Sequence, residues 1–577
     1  MPEASTQTVA EKIVTALKRH GVDVLFGQSL PSALILAAEN NGIRQLAYRQ
    51  ENAGGAMADG YARISGKVGI VTAQNGPAAT LLVPPLSEAM KASIPIIALV
   101  QEVERAQVHK NAFQELNHLD LFKSCAKWVR SLPGADRVDD YVDAAFIAAT
   151  SGRPGPAVLL LPADLLKELA PETGVVRKQS YGRWPLDRIR PSTAAVTAAA
   201  DAIAQAQAPV VICGGGVLLS QASEAVTELQ ECAHLPVFTT FMGKGSVAES
   251  HPLSCGVLGA LVGPRSLGRH SRAILEAADV ILLIGTRTNQ NGTDSWRLIP
   301  GSAQLIHIDM DPQEIGRNYE ARRLVGDAAE SVIALSAALR QLDLSRRLNA
   351  RPHLEKRIAA AWKSFDADRK SVVTSNRAPI RPERVMAALQ GVLDDRTIVV
   401  ADASYSSMWI LGQLRSSSIG TRFVAPRGLA GLGWGLPLAI GAKTAAPERS
   451  VVVVVGDGGF AHSWAELETL VRHHVAMTII VLNNGVLGFQ KDAETVKFGA
   501  YTSACHFAPV DHAAIARACG CEAERVTQAQ DLAETLRLAR ASKKPYLIEV
   551  ITDPQARPPL SLFASMPEPA FDTESSV

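Results

Sequence analysis

The sequence predicts an α/β protein built from three doubly wound parallel-sheet domains. Three observations point there. The chain has 577 residues, several modules at roughly 150 residues each. Strand-sized apolar runs alternate with amphipathic helical stretches, the βαβ pattern of a parallel sheet covered by helices. Two connections, Tyr181 to Pro191 and about Leu344 to Pro379, divide that alternation into three series. The predicted spans are 1–180, 190–345 and 378–560, followed by a tail at 561–577.

In the first series Val9, Ile13 and Leu17 share one helical face and Gly21 stops the helix before the strand-like run Val22 to Phe26. Further strands are predicted at Val68 to Thr72 and Ile94 to Val100. The second series places strands at Val210 to Cys213, Val237 to Thr240, Val280 to Gly285 and Leu305 to Asp309. The third places them at Thr397 to Ala401, Val451 to Val455, Thr478 to Leu482 and Tyr546 to Ile551. The first and third series are candidates for one shared topology. The proline-containing tail reads as an extension along the surface.

Composition removes whole classes of function. At 47% hydrophobic and 20% charged, large-scale disorder is excluded. Lys+Arg 58 against Asp+Glu 57, with no long run of one sign, leaves no electrostatic footprint for nucleic acid or an anionic membrane. A small-molecule substrate is therefore the expected partner. No apolar run approaches the roughly 18 residues of a membrane span. The start, Met1 to Thr6, shows neither a basic nor an apolar leader region, so a cytoplasmic location is expected. Cysteines 125, 213, 232, 255, 505, 519 and 521 include no CxxC pair, which argues against disulfides and zinc; Cys519-Gly520-Cys521 reads as two ordinary thiols.

Ligands of open parallel sheets gather beyond the carboxyl ends of the strands. Two such ends in the third series carry chemistry: Gly456-Asp457-Gly458-Gly459 after Val451 to Val455, and Asn483-Asn484 after Thr478 to Leu482. Glycines permit close backbone approach, while the aspartate and asparagine offer hard oxygen donors. Magnesium, which keeps octahedral oxygen geometry and shares ligands with phosphate, suits that set. Ser463-Trp464-Ala465-Glu466 has the pattern of a capping box opening the next helix. His473-His474 reads as a helix end.

Gly456-Asp457-Gly458 with Asn484 placed 27 positions after Asp457 resembles the GDG…NN signature of thiamine-diphosphate-dependent enzymes. The segment Tyr48-Arg49-Gln50-Glu51-Asn52-Ala53 through Gly60-Tyr61-Ala62-Arg63 resembles the segment that carries that family's glutamate. Ala112 to Glu115, Thr239 to Gly245 and His307 to Pro312 are similar to the acetolactate synthase (acetohydroxyacid synthase) large-subunit branch. The resemblance covers nearly the whole chain. It implies pyrimidine-binding, middle and diphosphate-binding domains in that order, and an active site shared between subunits of a homodimer or homotetramer. The catalytic Glu51 would contact the cofactor's aminopyrimidine, its proton affinity raised by an apolar pocket. Asp457, Asn484 and the Val486 carbonyl would hold Mg2+. Ser404, Ser406, Gly458 and Gly459 would meet the diphosphate, Ala430 would accept from the 4′-amino group, and Leu432 would bend the cofactor. Gln28, Phe113 and Gln114 would line the substrate pocket.

The activity so implied is a lyase or carboligase acting on a 2-oxo acid: ylide addition, loss of carbon dioxide and carbon–carbon bond formation. A 2-hydroxyacyl-CoA lyase or aldehyde lyase, a flavin-dependent oxidase, and a non-catalytic thiamine-diphosphate-binding paralogue are the alternatives. The CoA reading asks for a basic pocket mouth, for which Arg557 is the obvious residue, and retention of Glu51 argues against the silent paralogue. Departures from the family pattern fall where substrates are chosen. Gln50 replaces a histidine, Gln28-Ser29-Leu30-Pro31 replaces a glycine-rich turn, and 485–493 lacks a tryptophan. In the middle domain Gly214-Gly215-Gly216 with Arg287 suit a nucleotide, whereas 256–259 and 288–291 depart from the flavin-binding pattern. FAD, ADP and an empty site all remain open there.

Overall fold

The computed structural model describes residues 7–171, 176–420 and 422–567; part of the tail, 568–577, lies outside them. Each series closes into one six-stranded sheet. The first contains β1 (Val24–Phe26), β2 (Arg44–Leu46), β3 (Gly69–Ala73), β4 (Ile96–Glu102), β5 (Trp128–Ser131) and β6 (Ala157–Pro162), in the order β2-β1-β3-β4-β6-β5. The second contains β7 (Pro209–Cys213), β8 (Val237–Thr239), β9 (Ser254–Val257), β10 (Val280–Ile284), β11 (Gln304–Asp309) and β12 (Arg322–Val325), in the order β12-β11-β10-β7-β8-β9. The third contains β13 (Ile398–Ala401), β14 (Phe423–Val424), β15 (Val451–Gly456), β16 (Thr478–Asn483), β17 (Glu522–Val526) and β18 (Tyr546–Ile551), in the order β14-β13-β15-β16-β18-β17. Strand pairing within all three sheets is parallel.

The first and third sheets share one order, as the sequence suggested. The middle sheet has instead the order that places a dinucleotide at the switch point between its first and fourth strands, here β7 and β10. Val451 to Val455 are at most 2% exposed because helices cover both faces of β15, so the strand is continuously apolar rather than alternating. At the amino end the predicted helix forms as Val9–Arg19, with Thr8 and Glu11 closing a capping box and Val9, Ile13 and Leu17 buried.

One connection differs from expectation. The polar stretch after Leu344 is a helix of 29 residues, Ser345–Val373, with Pro352 inside it. Its long unbranched polar side chains favour helix, and Ile358, Ala361 and Phe365 bury against the middle domain. No helix among the described residues is long and apolar enough to cross a membrane.

The outer domains pack through two helices, Glu51–Ser65 and Gly435–Ala445, whose backbones nearly touch. A Cβ at Gly60 would lie 2.1 Å from the Leu438 carbonyl oxygen, and one at Gly441 would lie 1.9 Å from that of Met57. One apolar core therefore runs through both domains, including Phe26, Met57 and Tyr61 with Leu436, Leu438 and Ile440. Glu51 opens the first of these helices and the Ala430–Trp434 loop leads into the second, so this packing sets where both stand.

Candidate cofactor site

The strand order of the third sheet reverses between β13 and β15, and a cleft opens beyond those strand ends. Ser404, Ser406, Leu432, Asp457, Gly458, Gly459, Asn484 and Val486 all line it. Most come from turns that leave a strand, β13 feeding Asp402–Ser404, β15 feeding Gly456–Gly459 and β16 feeding Asn484–Leu487, while Ser406 sits in the first turn of the helix Tyr405–Gln413 and Leu432 on the loop before the helix Gly435–Ala445. Two helices of some length, Tyr405–Gln413 and Gly488–Phe498, begin at its wall. Their first-turn N–H groups have no intrahelical partner and suit an anion.

Asp457 is 6% exposed, and burial pushes its carboxyl up to about 6. Its Oδ2 accepts from Gly485 N–H at 2.8 Å, while Asn484 Oδ1 accepts from Val486 N–H at 3.2 Å. No three His, Cys, Asp or Glu residues gather as a metal cluster among the described residues. The donor set is instead one buried carboxylate, one amide oxygen and neighbouring backbone carbonyls. Such a set fits a magnesium ion completed by diphosphate oxygens and would not satisfy a metal alone.

The Ser406 hydroxyl donates to the carbonyls of Ala403 at 2.9 Å and Asp402 at 3.1 Å, so its proton is committed to the turn. Ser404 takes the left-handed region at φ 65° and caps the helix without a side-chain bond. Another acid, missed by the sequence reading, organises the site. Asp402, 1% exposed, accepts from the N–H groups of Gly433 (2.9 Å), Trp434 (3.1 Å) and Gly435 (3.1 Å). Burial raises its pKa and these amides oppose the rise. It thereby ties the loop bearing Ala430 (φ 62°) and Leu432 to the Gly458-Gly459 turn. A strand-end aspartate followed by Ala403-Ser404 was the available signal.

The expected capping box at Ser463 does not form. The helix begins at Glu466 with Ala465 as its cap and no side-chain cap bond; Ser463 bonds Phe460, and Glu466 accepts from the N–H groups of Arg49 and Gln50 in the first domain. His473 ends that helix and its Nε2 accepts from Ala47 N–H at 3.0 Å. The cysteines are free, and burial pushes Cys521 up to about 12.

Glu51, Gln28, Phe113 and Gln114 lie on the first domain and do not line this cleft within one chain, nor does Ala430. Gln28 Nε2 donates to the carbonyls of Arg49 (3.1 Å) and Tyr48 (3.4 Å), fixing the turn that presents Glu51. Gln114 Oε1 accepts from Gln74 at 2.8 Å, and Phe113 is 83% exposed. Trp434 Nε1–H donates to Asn52 Oδ1 at 3.0 Å, joining the segments that carry Leu432 and Glu51.

A larger cavity lies where the three domains meet. Gly215 and Gly216 line it at the end of β7, and Thr286 and Arg287 at the end of β10, the switch point of the middle sheet. Arg63, Lys91, Arg153 and Arg427 add positive charge. Burial lowers the pKa of Arg287 and brings Arg427 down to about 10. Asp309, also lining the cavity, is pushed up to about 7 by burial.

Comparison with known proteins agrees with this geometry. Models of the thiamine pyrophosphate enzyme match the N-terminal TPP binding domain at residues 7–121, the central domain at 196–335 and the C-terminal TPP binding domain at 402–550. The "Probable acetolactate synthase large subunit" of Methanocaldococcus jannaschii is 32% identical over 96% of this chain and 93% of its own. The chain belongs to the thiamine pyrophosphate enzyme family. Other similar members are the "Acetolactate synthase large subunit" of Parasynechococcus marenigrum, 32% identical over 94% of this chain and 87% of its own, and the "Acetolactate synthase" of Mycobacterium leprae, 29% identical over 98% and 92%. In this thiamine pyrophosphate enzyme the three sheets correspond to the N-terminal, central and C-terminal domains of the family.

Proposed function

We propose that the protein is a lyase or carboligase that uses thiamine diphosphate and Mg2+ to decarboxylate a 2-oxo acid and join the remaining unit to a second carbonyl. The observation that carries this reading is the single cleft lined together by Asp457, Asn484, Val486, Gly458, Gly459, Ser404, Ser406 and Leu432. Asp457, Asn484 and the Val486 carbonyl hold the metal, and the helix amino ends at Tyr405 and Gly488 hold the diphosphate. When bound, the cofactor supplies an electron sink for the carbon that loses carbon dioxide. Glu51 exchanges a proton with the aminopyrimidine nitrogen, Ala430 accepts from the 4′-amino group, and Leu432 supports the bend between the rings. Gln28, Phe113 and Gln114 shape the substrate side.

Glu51 stands away from its own chain's cleft and Phe113, on the same domain, is exposed, which supports a site completed by a second copy in a cytosolic homodimer or homotetramer. The three-domain cavity, with its switch-point glycines and half-buried arginines Arg287 and Arg427, favours an anionic nucleotide such as ADP or FAD. Arg557 gives little support to a CoA reading, because it bonds the Pro567 carbonyl. Purified protein with thiamine diphosphate, Mg2+ and a panel of 2-oxo acids and acceptors tests the proposal. Carbon dioxide release with a condensed product is expected, and no release with any donor refutes it. A visible spectrum of the same sample distinguishes a flavin from a colourless nucleotide.

A further inference from the structure

We propose that Glu88 and Glu466 are positioning residues for the cofactor, each reaching across the interface of the outer domains to fix the other domain's cofactor-facing backbone. The inference rests on the thiamine diphosphate reading above. Glu88 lies in the first-domain helix Val83–Ala92 and is 3% exposed. Its Oε1 accepts from Gly428 N–H at 2.6 Å, and its Oε2 accepts from Leu429 N–H at 2.5 Å and Ala430 N–H at 3.2 Å. Three successive amides of one loop thus converge on a single carboxylate, immediately before the Ala430 carbonyl and Leu432. The contact is tight: a Cβ at Gly428 would lie 2.6 Å from the Glu88 carbonyl oxygen and 2.9 Å from its Cδ.

Glu466 mirrors this from the third domain. It is 1% exposed, accepts from Arg49 N–H at 3.1 Å and Gln50 N–H at 3.2 Å, and receives the Thr469 hydroxyl at 2.7 Å. The next residue after those amides is Glu51. Each carboxylate is acceptor-only when ionised, so both of its oxygens suit convergent N–H groups. Cations stand behind Glu88: Arg63, itself paired with Asp59, is 3.8 Å away. The loop that accepts from the cofactor and the turn that presents Glu51 are both fixed by carboxylates of the opposite domain. A side chain serving only to dock the domains would have no reason to bind amides at both of these points.

Hydrogen exchange on the wild-type protein without cofactor, followed by E88Q and E466Q, tests this. Glutamine keeps the shape but turns an amide NH2 toward the backbone N–H groups. In the wild type the amides of 428–430 and 49–50 are expected to exchange slowly although they lie in turns, and rapid exchange there overturns the clamps without any variant. E88Q should speed exchange at 428–430 by at least tenfold and E466Q at 49–50, each leaving the other turn protected. With saturating thiamine diphosphate and Mg2+, either variant should slow exchange of the cofactor C2 proton at least tenfold while cofactor affinity changes by less than threefold. C2 exchange within twofold of wild type, with only the melting temperature lowered, overturns the positioning role in favour of domain docking. A wild-type protein that binds no thiamine diphosphate overturns the cofactor reading and the positioning role with it, while the amide protection separately shows whether the clamps exist.

Discussion

Replacing Gly459 with alanine tests the organisation of the cleft without touching a catalytic group. The new Cβ would lie 2.1 Å from Asp402 Oδ2, where real Cβ contacts essentially never fall below 3.0 Å, so something must move by about an ångström. Asp402 has little room to yield, because Oδ2 binds Gly433 N–H and Oδ1 binds those of Trp434 and Gly435. Overpacking costs about 1–3 kcal/mol, and breaking a hydrogen bond to a buried carboxylate adds about 1.5–3 kcal/mol. A total near 4 kcal/mol lowers the thermal midpoint of a domain this size by roughly 10 °C. Because the displaced loop carries Leu432, cofactor affinity should also fall at least tenfold. Gly456→Ala is the matched control: its φ is −83° and a Cβ there meets nothing within 4 Å. That variant should melt within about 2 °C of wild type yet bind the cofactor less well, since the methyl enters the cleft that Gly456 lines. Calorimetric scans and cofactor titrations of both proteins decide the matter. Wild-type melting and affinity in Gly459→Ala would refute the bracing role of Asp402.

Glu51→Gln should abolish exchange of the cofactor C2 proton, read by NMR after quenching, while leaving cofactor binding largely intact; exchange at the wild-type rate defeats the assignment. Asp457→Ala removes the one buried carboxylate of the metal set and should weaken magnesium-dependent cofactor binding by a factor on the order of 100, and unchanged affinity by calorimetry counts against the site. Asp309→Asn should stabilise the middle domain in a pH-dependent way. Burial raises the folded carboxyl from 3.8 to about 7, so its ionisation costs nothing below pH 3.8 and the cost grows as pH rises through 7. The gain in melting temperature should be absent at pH 4 and reach its maximum near pH 8, with an upper limit of about 4 kcal/mol; a gain equal at both pH values would sink that account.

Most interior strands were readable because burial on both faces makes them unbroken apolar runs, as in Val451 to Val455, although the equally apolar β6 was not predicted. The edge strands were not. Arg44-Gln45 in β2, Arg322-Arg323 in β12 and Glu522-Ala523-Glu524 in β17 carry polar side chains suited to exposed sheet edges, and they resemble loops in sequence. In the cleft, Asp457 and Asn484 could be found because adjacent strand ends bring local motifs together. Glu88 and Glu466 left no such mark, and Asp402 left only its place at a strand end. Their partners are backbone amides, which have no residue identity, and Glu88 lies 340 positions from Gly428. The apparent capping pattern at Ser463 misled for the same reason: the carboxylate expected to serve its own helix binds another domain's turn.

The near-even charge balance conceals two unbalanced interiors. In the cleft, Asp457 is surrounded by hydrogen-bond donors without a paired cation, and its raised pKa records the cost of holding that negative charge out of water. In the three-domain cavity the signs are reversed: Arg287 and Arg427 are half-buried with depressed pKa values, and the glycine-rich turn after β7 presents backbone rather than side chains. A polar group left uncompensated in an interior is normally eliminated unless a ligand supplies the partner. A cation that brings its own oxygens would offset the first charge, and an anion the second, as the proposed function expects. Glu88 stands between them, gripping the cofactor loop on one side and contributing attraction to Arg287 and Arg427 on the other.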